Sequence, residues 1–130
     1  MCGLLSIGYA QKGKMKQQIE AARIALITER LNLTPAEAEK FWPVYNEFTS
    51  QRRALRMSFK EERSRINEQQ LSEDQRKEIL QKEIDLKQKE LNLEKEYSQK
   101  VLNVISTQQM MSLRTAEIVF KRMLLERVQQ

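Results

Sequence analysis

The chain has 130 residues with a net charge of +5 (23 Lys and Arg, 18 Asp and Glu), no histidine, one cysteine (Cys2) and 6% aromatic residues. That composition excludes Ser-His and Cys-His catalysis, zinc fingers and intramolecular disulfides. Its three glycines all lie before Lys14 and its only prolines are Pro35 and Pro43. β-Hairpins and phosphate-cradling loops are therefore disfavoured, and an all-α chain is expected.

The first ten residues hold a short apolar run, Cys2-Gly-Leu-Leu-Ser-Ile-Gly-Tyr-Ala10, followed by polar Gln11-Lys12-Gly13-Lys14. Gly8 and Ala10 are small residues two apart, as signal peptidase requires, so residues 1–10 read as a signal-peptide remnant and Gln11 as the mature start. A disordered apolar tail is the competing reading. Residues 11–130 read as one all-α domain. No other stretch is long and apolar enough for stable membrane insertion.

A first helix is predicted from Lys14 to Leu31, with Met15, Ile19, Ala22 and Leu26 at helical spacing and Ile24, Ile27 and Leu31 widening the face. Leu33-Thr34-Pro35-Ala36-Glu37 then starts a second helix. Thr34 with Glu37 three residues on is a capping box, and Pro35 suits the first helical position. This helix is expected to reach Glu68, kinked at Pro43, with Phe41, Tyr45, Phe48, Arg52, Leu55, Phe59, Glu62 and Ile66 in one row.

A second box, Leu71-Ser72-Glu73-Asp74-Gln75, starts a third helix to Val104. Acid-before-base pairs at i, i+4 (Glu78/Lys82, Glu83/Lys87, Asp85/Lys89, Glu96/Lys100) keep an exposed helix formed. Its apolar residues make thin stripes: Leu80, Ile84, Leu91 and Leu102, and Leu86, Leu93, Tyr97, Val101 and Val104. A third box, Ile105-Ser106-Thr107-Gln108-Gln109, starts a fourth helix to Val128. Its buried face is predicted to be Met110, Leu113, Ala116, Phe120, Met123 and Leu124, with Met110, Met111 and Met123 read as core.

The charge is uneven: five bases against two acids over residues 1–34, seven against six over 35–70, seven against eight over 71–105, and four against two over 106–130. A mild basic excess suits acidic partners. Nucleic acid is not expected, because no arginine-rich run is interleaved with stacking aromatics.

The first and third boxes resemble the LTxxQ motifs of the Spy/CpxP family of periplasmic stress proteins. The stretch Ile27–Phe48 is most similar to a branch of periplasmic heavy-metal sensors, or sensors of extracytoplasmic-function sigma factors. The resemblance covers nearly the whole chain after Lys14. The chain departs at Glu37, where the motif prefers Gln, and at Ser106, where it prefers Thr; both changes keep a capping box. The resemblance implies a four-helix cradle with a long helical hairpin, an antiparallel homodimer and a periplasmic location. It also implies ATP-independent chaperone activity on unfolded envelope proteins, or envelope-stress sensing through a sensor kinase or anti-sigma partner. Some members bind zinc, but no histidine or mature thiolate is present here for that ligation. No enzymatic activity, metal or cofactor is expected. A structural helical module without clients is the remaining alternative.

The candidate client-binding surface is a basic and apolar strip on the second helix: Arg52, Arg53, Arg56, Met57, Phe59, Lys60 and Arg63. Arg52, Arg56, Lys60 and Arg63 share one face, beside Leu55, Met57 and Phe59. Charge would capture a client first and apolar contact hold it second. A solvated face neutralised by Glu61, Glu62 and Glu68 is the alternative.

Overall fold

A computed structural model describes the backbone of residues 3–129 and the side chains of residues 11–128; Cys2 lies outside the described residues. Four helices follow in order: α1 (Gly3–Leu31), α2 (Pro35–Ser64), α3 (Glu73–Val101) and α4 (Thr107–Gln129), with a short 3-10 turn (Glu68–Gln70) between α2 and α3. No strand occurs among the described residues. The expected all-α class holds.

All three capping boxes are closed. At α2, Glu37 N–H donates to Thr34 Oγ1 (3.1 Å) and Thr34 N–H to Glu37 Oε1 (3.4 Å). At α3, Gln75 N–H donates to Ser72 Oγ (3.2 Å) and Ser72 N–H to Gln75 Oε1 (2.8 Å). At α4, Gln109 N–H donates to Ser106 Oγ (3.1 Å) and Ser106 N–H to Gln109 Oε1 (2.9 Å). The residues ahead of the hydroxyls differ: Ile105 is buried, whereas Leu33 and Leu71 are half-buried. Ser72→Ala removes the acceptor at an exposed helix start and is expected to cost about 1 kcal/mol, read as a lowered urea midpoint at unchanged slope.

Several predicted boundaries move. The helix expected from Lys14 already begins at Gly3. It ends in a Schellman turn: Asn32 takes a left-handed φ of 49°, Leu33 N–H donates to Thr28 O (3.4 Å) and Asn32 N–H to Glu29 O (3.2 Å). Asn tolerates that conformation better than most side chains, so a chain without glycine here still gets a clean stop. The second helix stops at Ser64 rather than Glu68, because Asn67 caps the 3-10 turn by accepting from Gln69 N–H (3.1 Å). It runs through Pro43, which is exposed, without interruption. The third helix ends at Val101 rather than Val104.

The helices gather into two compact units, residues 1–38 with 106–130, and residues 39–105. In the first, α1 packs on α4 through Ile27, Leu31, Met110, Leu113 and Ala116. The predicted core of these two helices is only partly right. Met15, Ile24, Met111 and Met123 are exposed, and Ile19, Leu26, Phe120 and Leu124 are half-buried.

In the second unit α2 and α3 run antiparallel. Seven residues up α2, from Arg56 to Arg63, correspond to seven down α3, from Glu90 to Glu83. Aromatic rings fill one end: Phe48 stacks on Tyr97 at 4.1 Å, and Phe41 lies against Trp42 (4.9 Å) and Tyr45 (5.4 Å). Val101 and Ile105 complete that core. Toward the turn the seam thins to half-buried Leu55, Phe59, Ile79, Leu86 and Leu93, and ion pairs take over. Of the two stripes on α3, the one with Leu86, Leu93, Tyr97 and Val101 faces α2. Leu80, Ile84, Leu91 and Leu102 stay exposed.

Of the predicted i, i+4 pairs, Glu78–Lys82 (3.8 Å) and Glu96–Lys100 (3.5 Å) form. Glu83 turns to Arg63 instead, and Asp85 accepts from Gln81. Interhelical partners compete with the local ones, and each exposed pair contributes only about 0–1 kcal/mol.

Candidate functional site

Arg52, Arg56 and Arg63 lie on the flank of α2 that borders α3, and the members of the basic strip divide by partner. Arg52 sits over the Phe48 ring at 5.1 Å, a cation–π contact that anchors it to the aromatic core. Arg56 reaches Glu90 through Nε (2.6 Å), with a second nitrogen at 3.5 Å. Arg63 bridges Glu68 (2.9 Å) and Glu83 (3.3 Å). Arg53 and Lys60 are exposed and form no ion pair among the described residues.

The apolar members divide too. Met57 is exposed, whereas Phe59 and Leu55 are half-buried in the α2–α3 seam. Of the three acids named as neutralising partners, Glu68 takes Arg63 and Glu62 takes Lys82. The available cationic surface therefore rests on Arg53 and Lys60. Arg56 and Arg63 present guanidinium groups already held by carboxylates.

A groove of about 540 Å³ runs between α2 and α3, a feature the reading from sequence missed. Leu55 and Leu93 lie within it, Ala54 and Ser58 leave room above them, and Lys89 and Glu96 stand on the α3 rim. Its signal in the sequence was Ala54 and Ser58, small residues one turn apart on a helix otherwise rich in long side chains.

The first and third capping boxes meet in the other unit. The Gln109 side-chain amide donates to the Leu31 carbonyl (3.1 Å), at the end of α1, and to Glu37 Oε2 (2.7 Å), at the start of α2. One glutamine thus closes its own box and ties together three helix ends. The Gln109 amide, and after it the Thr34 hydroxyl, hold the Glu37 carboxyl below its ordinary value, because both donate to the ionised form. This is a structural joint and carries no reactive group.

Among the described residues no group of three His, Cys, Asp or Glu side chains is placed to hold a metal ion. No helix among them is long and apolar enough to cross a membrane. Comparison with family models, curated proteins and solved structures finds no match to this chain.

Proposed function

We propose that this chain is a periplasmic, ATP-independent chaperone-like protein of the envelope stress response that binds unfolded or partly folded clients through α2. The observation that carries the reading is the pairing, on one face of α2, of exposed cations that form no ion pair among the described residues with an exposed apolar side chain: Arg53 and Lys60 beside Met57. Long-range charge raises the rate of encounter with a client, and apolar contact then slows its departure. The resemblance of the two boxes joined by Gln109 to LTxxQ motifs supports the same reading. The reading includes a mature start at Gln11, as the small pair Gly8 and Ala10 after the apolar run suggests.

The reading includes a homodimer. Leu80, Ile84 and Leu91 fall within roughly 40° of one another at about 100° per residue, and all three are exposed. A second copy would cover this stripe, whose area is poorly suited to water. Light scattering at micromolar concentration is expected to give twice the monomer mass, and Ile84→Glu is expected to return it to the monomer value. A wild-type monomer under those conditions would remove the dimer from the account.

Two unrelated unfolded clients, diluted from denaturant with and without the protein, test the functional class. Suppressed aggregation of both supports chaperone action without ATP. Failure on both, together with retention of a single sensor-kinase or anti-sigma partner in affinity capture from envelope extract, would support the regulatory alternative instead.

A further inference from the structure

We infer that the outer face of α4 docks an acidic amphipathic helix of a partner protein. Met111, Ile118 and Leu125 recur every seven residues on this helix and are 72%, 62% and 56% exposed. At about 100° per residue they drift by only roughly 20° per heptad, so they form one narrow seam. The side of α4 that packs on α1 is a different one, carrying Met110, Leu113 and Ala116.

Charge selects the occupant. Lys121 and Arg122 both fall within about 60° of Ile118 on the same face. Glu126 is the one acid at its margin, and Glu117 lies further round the helix. An apolar seam at heptad spacing flanked by bases matches a helix with its own apolar seam flanked by Asp or Glu. A second copy meeting through this face would bring the same bases together, which is repulsive. A lipid surface asks for an apolar arc of at least about 100°, whereas here the seam is narrow and bases stand inside that arc.

The face is made by α4 and the strip by α2, so the variants that test one leave the residues of the other unchanged. The probes are two peptides of about three heptads each, with Leu at the seam and either Glu or Lys at the flanking positions. Wild-type protein, followed by fluorescence anisotropy, is expected to bind the Glu peptide at least about tenfold more tightly than the Lys peptide. Lys121→Glu with Arg122→Glu is expected to reverse that preference, and Ile118→Ser to weaken binding of the Glu peptide several-fold. Lys14→Glu with Lys16→Glu changes net charge equally on α1 and is expected to leave the preference intact. Circular dichroism checks that each variant keeps its helix content.

No preference between the peptides, or an equal loss from the α1 and α4 reversals, overturns the proposal, because net charge alone would then explain the binding. Retention of wild-type protein on phosphatidylglycerol vesicles, abolished by the α4 reversal while peptide binding stays weak, also overturns it and assigns the face to lipid.

Discussion

Replacing Phe41 by Ala is expected to destabilise the protein by about 3–5 kcal/mol, the largest effect of any single substitution proposed for this chain. Phe41 is fully buried, edge-on to Trp42 and stacked on Tyr45. Truncation removes the transfer free energy of the ring, leaves a cavity that two large rings cannot easily collapse into, and deletes two aromatic contacts. The core is thin: only Phe41, Tyr45, Phe48, Tyr97, Val101 and Ile105 are buried in the unit that contains α3. Set against a typical total stability of about 5–15 kcal/mol, such a loss is a large fraction. Urea denaturation followed by circular dichroism reads it directly. Met57→Ala, at an exposed position on the same helix, is expected to stay within about 0.5 kcal/mol of wild type. A shift below about 1 kcal/mol for Phe41→Ala would mean that the ring cluster is not the core of this unit.

The second large effect belongs to Gln109→Glu. Glu keeps the oxygen that accepts from Ser106 N–H, so the local box survives. It loses the amide that donates to Leu31 O and Glu37 Oε2. The lost bond to the Leu31 carbonyl costs about 1 kcal/mol, and the new carboxylate facing Glu37 adds like-charge repulsion to that.

The dependence on pH separates the two proteins. In wild type the Glu37 carboxyl is lowered by the Gln109 amide first and Thr34 second. Its contribution to stability is complete above the unfolded carboxyl pKa and is lost as pH falls through the lower folded value. In the variant two facing carboxylates raise each other, so acidification relieves repulsion and the stability gap to wild type narrows. Thermal melts across the acidic range measure this. The double variant Glu37→Gln with Gln109→Glu exchanges donor and acceptor and is expected to recover part of the loss. A gap that does not change with pH, or a double variant no better than the single, would contradict the joint described here.

The three capping boxes were legible because a box is local: hydroxyl, spacing and Glu or Gln lie within four residues. The link from Gln109 to Glu37 and Leu31 was not, since it crosses more than 70 residues of chain. Periodicity found both stripes on α3 but could not say which one is covered. Leu86, Leu93 and Tyr97 fit a helical face as well as Leu80, Ile84 and Leu91 do, and only the register against α2 decides. The same limit applies to the methionines. Met110 is buried and its neighbour Met111 is exposed, a difference of about 100° on the helix that composition does not reveal. Within the basic strip, spacing assigns Arg52, Arg56, Lys60 and Arg63 to one face. It could not foresee that Glu90 and Glu83 on α3 would take two of them.

Client capture on α2 is the central claim, and aggregation suppression by a charge-reversed strip tests it most directly. The variant is Arg53→Glu with Lys60→Glu, both exposed positions outside the ion pairs, so helix content is expected to be unchanged. Its control is Lys77→Glu with Lys95→Glu on α3, which alters net charge by the same amount. Light scattering of an unfolded client diluted into each protein is expected to rise with the α2 variant and to stay at the wild-type level with the control. Client association is expected to slow with salt in wild type and to lose that dependence in the α2 variant. Equal protection by the two double variants would contradict the account and return the strip to an ordinary solvated face.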